Sequence, residues 1–337
     1  MTQVSTTSAR AQSYLSKGPL VVIVNYQTFN LTLETLRAVA GELSGGQWRV
    51  VVTDNASPDG SGARLVEIVR ANGWTDWCEV RLLPRNGGFA YGNNEAFPSG
   101  VDRDPAKPHI PERVLLLNPD TVVRPGAIAE LMRFMDDHPQ AGIVGSRLED
   151  HDGTPQVSAF NFPTVLSEVE GGFRLGVVTR LLRKWMIAPP WRNDTHRCHW
   201  VAGACMLVRR EVFEDIGMMD EGYFMYYEEV DFCLRAARKG WETWYVPAAR
   251  VVHLVGQSSG VTDTKKPARR LPSYWFESRK RYFTKNHGIP YRILADLGWA
   301  SGHIVHRLLR LLRGGKNADP PRLLRDFLTH AVGGRTG

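Results

Sequence analysis

Apolar residues fall along this chain in two rhythms. Short unbroken runs of aliphatic, mostly β-branched residues occupy 20–26 (LVVIVNY), 49–53 (RVVVT), 79–83 (EVRLL), 113–117 (RVLLL) and 143–146. Runs of this length that do not alternate with polar residues read as strands buried on both faces, the state of a parallel sheet. Between them, helical spacing predicts helices over 31–43, 63–72 and 126–138, the second following the turn Ser57-Pro58-Asp59-Gly60 and the third opened by Pro125. This alternation predicts an α/β fold, a Rossmann-like, mostly parallel sheet with helices on both faces. From 151 to 199 the pattern weakens into an insertion containing Pro and Arg. It resumes with 200–209 (WVAGACMLVR), a helix from Glu211, the run 224–238, and two strands over 244–246 and 250–253.

Composition narrows the class. Hydrophobic residues are 43% and charged residues 23% of 337, a balance that excludes a disordered or collagen-like chain. Cys78, Cys198, Cys205 and Cys233 are scattered without a C-x-x-C pair, which argues against a disulfide framework or structural zinc and for a reducing compartment. No apolar run reaches the roughly 18 to 20 residues of a bilayer span, and residues 1–17 lack an apolar signal core. A disordered tail over 1–17 and a cytoplasmic location are therefore expected. The net charge of +7 is uneven: residues 265–337 hold 16 Lys and Arg against 4 Asp and Glu, leaving 26 against 31 for residues 1–264.

Ligands of such sheets gather at the carboxyl ends of the strands. Those ends are polar here: Asn25-Tyr26, Asp54-Asn55-Ala56-Ser57, Arg85-Asn86-Gly87-Gly88 and Asn118-Pro119-Asp120. Each alone is ordinary turn chemistry, but four on one rim point to a binding site. Further on, Glu228, Glu229 and Asp231 follow the aromatic residues Tyr223, Phe224, Tyr226 and Tyr227. Neighbouring acids repel and aromatic rings desolvate them, which raises a carboxyl pKa toward the range of a general base. Acids in a first helical turn also favour the positive end of the dipole, so one acid is expected to cap and another to face a cleft. Asp120 is placed to hold a divalent ion, Mg or Mn, together with substrate phosphate oxygens. His253 is either a second ligand or a hydrogen-bonded structural group. Gly203-Ala204 lets backbone approach a bound substrate or packs strand on helix. Trp200 and the aromatic run form either a stacking floor for a ligand or core.

The ordered series VVIVNY, DNASPDGS, RNGGFAYGNN, LLLNPDT, VAGACMLVRREVFEDIG, DEGYFMYYEEVDFCLRAARKGW and VVHLVGQSSG, with Ser278 to Phe283, resembles the family 2 glycosyltransferases of GT-A fold. Within them it is most similar to bacterial rhamnosyltransferases of cell-surface polysaccharide synthesis. The resemblance implies a nucleotide-sugar-binding half over 18–150, the insertion 151–199, and an acceptor and catalytic half over 200–288. It implies that Asp54 accepts from the nucleotide base, with Tyr26, Asn55, Asn86, Gly88 and Asn94 around the donor. Asp120 takes the last position of the family's metal-binding D-x-D, and His253 matches its second protein ligand. Glu229 stands where the catalytic base lies, usually an Asp; Glu228 or Asp231 can share or take that role. Asn118 replaces the first acid of D-x-D, so the metal leans more on the diphosphate, and Asn118 can instead bond to ribose or donor sugar.

The expected reaction is a single in-line displacement with inversion, carrying L-rhamnose from dTDP-L-rhamnose to a glycan or polyprenyl-diphosphate-linked acceptor. The alternatives are the same fold moving galactofuranose, glucose or N-acetylglucosamine from a UDP donor, and an inactive nucleotide-sugar-binding scaffold. A dinucleotide-dependent dehydrogenase is excluded because Asn25-Tyr26-Gln27-Thr28 stands where G-x-G-x-x-G would follow strand one.

Residues 289–337 form a basic tail. In 291–313, Ile293, Leu297, Ile304, Leu308 and Leu312 fall near one helical stripe, with Arg307, Arg310 and Arg313 off it. Such a helix suits an anionic membrane surface on the inner face of the plasma membrane. Equally, the stripe packs on the catalytic domain or on a second copy of the chain in a homo-oligomer. No nucleic-acid motif accompanies the charge.

Overall fold

A computed structural model describes residues 19–43, 48–97, 110–254, 269–315 and 319–333. The expected tail 1–17 and the 255–260 part of the last motif lie outside these residues. In chain order the first half comprises β1 (Leu20–Asn25), α1 (Phe29–Glu42), β2 (Arg49–Asp54), α2 (Ser61–Ala71), β3 (Cys78–Leu82), α3 (Gly88–Asn94), β4 (Arg113–Leu117), β5 (Thr121–Val123), α4 (Ala127–Asp137) and β6 (Ala141–Glu149). The second half comprises β7 (Ala159–Phe160), α5 (Val165–Phe173), α6 (Gly176–Leu181), β8 (His196–Cys198), β9 (Trp200–Val201), β10 (Cys205–Arg209), α7 (Arg210–Ile216), α8 (Glu228–Arg238), β11 (Glu242–His253), α9 (Ser273–His287), α10 (Ile289–Leu312) and α11 (Leu323–Val332).

The main sheet runs β3-β2-β1-β4-β10-β6-β11-β5, with β8 added beside β11. The parallel order expected from the alternation holds from β3 to β4. Beyond it the sheet is mixed, because β10 runs antiparallel to both β4 and β6. Successive side chains of a strand point to opposite faces, and both faces of β1 are covered. Val21 and Ile23 pack under α1, α2 and α4 through Leu36, Leu65 and Leu131. Leu20 and Val22 pack under α7 and α8 through Val212, Phe213 and Phe232.

Two expectations need correction. The two strands foreseen over 244–246 and 250–253 are one, β11, whose pairing with β6 shifts register between Val246 and Arg250; Pro247 lies in this gap and has no N–H to give a ladder. The apolar run 200–209 is broken into β9 and β10 by a turn at Ala202-Gly203-Ala204. The acids do stand in the first turn of α8, at the positive end of its dipole, while the N-cap itself is Tyr227, with a left-handed backbone and no side-chain cap.

The insertion and the tail form one unit. The close approach of α5 to α10 is set by glycine: a Cβ on Gly172 would meet the Trp299 carbonyl at 2.5 Å, and one on Gly302 would meet Phe173 at 2.7 Å. A buried Arg279 on α9 joins both, donating to Glu168 of α5 at 2.7 Å and to Asp296 of α10 at 2.5 Å. The helix α10 packs through Ala295, Asp296, Trp299, Ala300, Gly302 and His303. Its predicted apolar stripe is on the other side: Ile293, Leu297, Ile304, Leu308 and Leu312 are all exposed.

Candidate active site

The strand ends create one cavity of about 490 Å³ at the carboxyl edge of the sheet. Beneath it, Asn25 and Asp54 face each other across the β1–β2 ladder. The Asn25 amide donates to Asp54 at 2.6 Å and to Ser61 at 3.1 Å, while its carbonyl oxygen accepts from Thr28 at 2.9 Å and Thr32 at 2.8 Å. Asp54 also accepts from the Ser57 hydroxyl at 2.6 Å and the Ser57 amide at 3.0 Å. Its carboxylate is buried and taken up by these bonds, so it does not line the cavity. Tyr26, Asn55, Asn86 and Gly88 do line it. Asn55 donates to the Gly88 carbonyl at 2.9 Å, leaving its own side-chain oxygen buried without a partner. Asn94 faces elsewhere, bonded to Met219 and Glu221.

Two pairings bring the N-P-D segment and His253 together. The end of β4 lies beside the Gly203-Ala204 turn, where the Asn118 amide donates to the Ala204 carbonyl at 2.9 Å. The antiparallel pairing of β5 with β11 sets Thr121 opposite His253. Asp120 is thereby 3.5 Å from His253, oxygen to Nε2. Both carboxylate oxygens of Asp120 are buried without a hydrogen-bond partner, as are the Asn118 side-chain oxygen and His253 Nδ1. An unsatisfied buried carboxylate is costly unless a cation meets it. This donor set, one carboxylate and one imidazole, fits a divalent ion whose remaining positions are filled by phosphate oxygens or water. Among the described residues no cluster of three or more His, Cys, Asp or Glu could hold a metal without such help.

The acids stand on the wall of the same cavity, which both Glu228 and Glu229 line. Their position depends on a held segment. The Phe224 carbonyl accepts from the Phe89 amide at 2.9 Å, and the Met225 carbonyl accepts from Ser278 of α9 at 3.0 Å. Gly88, at φ +87°, is obligatory here, since a Cβ would overlap the Phe224 carbonyl. Tyr226 and Tyr227 then take left-handed backbone at φ 69° and 70°, a conformation costing roughly 1–3 kcal/mol each for a side chain of this size. That double turn starts α8 with its acids at the cavity. Burial pushes Glu229 up to about 7, against backbone amides that pull it down. Burial raises Glu228 well above the ordinary carboxyl range, and repulsion from Glu229 adds to it. A group poised near neutrality exchanges protons readily at physiological pH.

Asp231 belongs to a different structure. It is fully buried and accepts from Lys285 at 2.8 Å, Asn286 at 2.8 Å, Arg235 at 2.9 Å and Tyr223 at 3.2 Å. Burial raises its pKa, but the bonds to Lys285 and Asn286 outweigh that and hold it below the ordinary value. It ties α8 to α9. Trp200 likewise lies off the cavity, stacked on Phe160 at 4.2 Å with its indole donating to the Asn161 carbonyl. Gly203 lines the cavity, and a Cβ there would sit 3.8 Å from that of Glu229.

The family model described as "Glycosyltransferase like family 2" matches residues 6–271. The chain belongs to this glycosyltransferase family. A relative from Mycobacterium tuberculosis (strain H37Rv), the N-acetylglucosaminyl-diphospho-decaprenol L-rhamnosyltransferase, is 32% identical over 265 residues, covering 74% of this chain and 76% of its own. The rhamnosyltransferase WbbL of Escherichia coli (strain K12) is 29% identical over 168 residues, covering 50% of this chain and 61% of its own. The solved mannosyltransferase PcManGT of Pyrobaculum calidifontis, in complex with GDP-Man and Mn2+, shares the GT-A fold at a TM-score of 0.55 and 15% identity, covering 92% of this chain and 83% of its own.

In this glycosyltransferase the cavity also uses residues that sequence reasoning passed over. Thr28 lines it from the start of α1, and Phe89 from α3. Tyr274 reaches it from α9, some forty residues beyond the acids, with its ring 5.3 Å from Phe224. The nearest signal in the sequence is the aromatic triplet Tyr274-Trp275-Phe276, whose other members pack against α10 and α11.

Proposed function

We propose that the chain transfers L-rhamnose from dTDP-L-rhamnose to a polyprenyl-diphosphate-linked sugar, with inversion, in the assembly of a cell-surface polysaccharide on the cytoplasmic side of the plasma membrane. One observation carries this reading: the unsatisfied Asp120 and its neighbour His253 adjoin the same cavity that Glu228 and Glu229 line. The donor assignment is supported by the similarity to relatives named as rhamnosyltransferases, and the acceptor by the diphospho-decaprenol in the name of the first.

In this reading the nucleoside diphosphate lies along Tyr26, Asn55, Asn86 and Asn118. Asp120 and His253 hold a divalent cation, which when bound neutralises charge on the departing diphosphate. Glu229 takes the proton from the acceptor hydroxyl as that oxygen attacks the anomeric carbon, and the bond to the nucleoside diphosphate breaks. Glu228, whose pKa burial raises, lines the same wall and its carboxyl group steers a sugar hydroxyl. Phe224 and Tyr274 supply apolar faces against which a sugar ring rests.

The test is transfer by the purified protein from a panel of donors to a short-chain prenyl-diphosphate-N-acetylglucosamine, with release of nucleoside diphosphate as readout. Turnover with dTDP-L-rhamnose and manganese, abolished by EDTA, is the expected result. Turnover only with a UDP-hexose would replace the donor, and absence of release with every donor would leave a binding scaffold.

A further inference from the structure

The outer face of α10 and the adjoining α6 have a pattern inverse to that of ordinary packed helices. At 3.6 residues per turn, the exposed Ile293, Leu297, Ile304, Leu308, Leu311 and Leu312 fall within an arc of about 100°. The small and polar side of α10 faces the protein instead. Leu297 is 61% and Leu312 84% exposed. Beside this half of α10, the Phe173 carbonyl meets His306 at 3.2 Å, and α6 starts three residues later. There Val177, Leu181 (73% exposed) and Trp185 are also turned out to solvent. An apolar surface of this extent marks an interaction site.

Charge decides what covers it. Residues 176–185 contain Arg180, Arg183 and Lys184 and no acid; residues 304–313 contain Arg307, Arg310 and Arg313 and no acid. A two-fold dimer would set this patch against its own copy, cation facing cation. An anionic lipid surface complements the apolar arc together with the basic residues nearest it, Arg307 beside the arc and Arg180, Arg183 and Lys184 of the α6 segment. No helix among the described residues is long and apolar enough to cross a membrane, so the fit is to a helix lying in the interface.

We infer that the exposed faces of α6 and α10 together form a bilayer-docking surface for anionic phospholipid. This rests on the proposed polyprenyl-linked acceptor for its purpose, though not for its chemistry. The surface is joined to the cavity by α9, which carries Tyr274 at one point and Arg279, bonded to α5 and α10, at another. Docking thus sets the cavity at a fixed place relative to the membrane from which a lipid-linked acceptor is presented.

The experiment is flotation of the full chain with vesicles of phosphatidylcholine alone or mixed with phosphatidylglycerol. The wild type is expected to float with the mixed vesicles and to be released by salt. Arg180→Gln, Arg183→Gln and Lys184→Gln together are expected to weaken partitioning on the order of a hundredfold, at about fivefold per basic residue near an anionic surface. Leu308→Gln, Leu311→Gln and Leu312→Gln together should do at least as much. All six positions are on the surface, so transfer to a short-chain, water-soluble acceptor stays at the wild-type rate and verifies folding. Vesicle binding by a wild type that transfers to no prenyl acceptor would sink the proposed acceptor and leave the docking surface standing. Failure of the wild type to float, flotation of both triple variants undiminished from the wild type, or sedimentation of the wild type as a dimer that the leucine variant converts to monomer would each overturn the docking surface.

Discussion

Replacing Glu229 by Gln separates two consequences of its burial. In the folded chain its pKa stands at about 7 instead of the ordinary 4.5, so near neutrality the folded state holds a proton that the unfolded chain has released. For an acid shifted upward, the favourable contribution is complete below pH 4.5 and is lost as the pH rises through about 7. The gap between 4.5 and about 7 corresponds to about 3 kcal/mol. Glutamine keeps the shape and never ionises, and it removes the repulsion on Glu228. Glu229→Gln is therefore expected to be more stable than the wild type by on the order of 3 kcal/mol at about pH 8. The difference should close toward pH 4.5. The same variant should lose about 10²- to 10⁴-fold in kcat, the contribution typical of a positioned base, with donor binding intact. The assay is urea unfolding across a pH series, alongside transfer rates on the same preparations; the wild-type kcat should itself rise with pH through about 7. A variant no more stable than the wild type at about pH 8, or a gain that does not vary with pH, would refute the argument from burial.

Three further outcomes follow from the geometry. Asp231→Ala should lower stability by about 3–5 kcal/mol, because Arg235 and Lys285 lose a buried partner, while kcat per folded molecule stays at the wild-type level; active-site titration with urea unfolding checks this. Asp120→Asn should abolish the manganese-dependent thermal stabilisation that dTDP gives the wild type, which at 100 times Kd amounts to about 2.7 kcal/mol; an undiminished shift would remove Asp120 from the cation site. Gly88→Ala forces a Cβ onto the Phe224 carbonyl, so it should raise KM for donor and slow turnover together while far-UV circular dichroism remains unchanged.

Much of this architecture was legible in the chain, for identifiable reasons. Strands buried on both faces leave unbroken apolar runs, so β1, β2 and β4 could be read directly, and polar residues at their ends gave away the rim. Local patterns carry no record of long-range direction, which is why the reversal of β10 went unseen. Asp54 and Asp231 look like site residues in sequence, yet their carboxylates are consumed by Asn25 and Ser57 in one case and by Arg235, Lys285 and Asn286 in the other. Ser57 is a neighbour of Asp54 in its own turn and Arg235 lies a helical turn from Asp231, but Asn25, Lys285 and Asn286 lie 29 and more positions away, and only packing reveals them. Tyr274 was hidden for the same reason. The stripe on α10 was visible, but helical periodicity shows only that a face is apolar; the glycines at 172 and 302 decide that the opposite face meets the protein.

The most direct measurement is the anomeric configuration of the product. A single displacement driven by Glu229 across the sugar from the departing diphosphate yields a rhamnosyl linkage opposite in configuration to dTDP-L-rhamnose, read from the one-bond carbon–proton coupling at the anomeric centre by NMR. Inversion, with no sugar found attached to the protein by mass spectrometry, is the predicted result. Retention of the donor's configuration would contradict it.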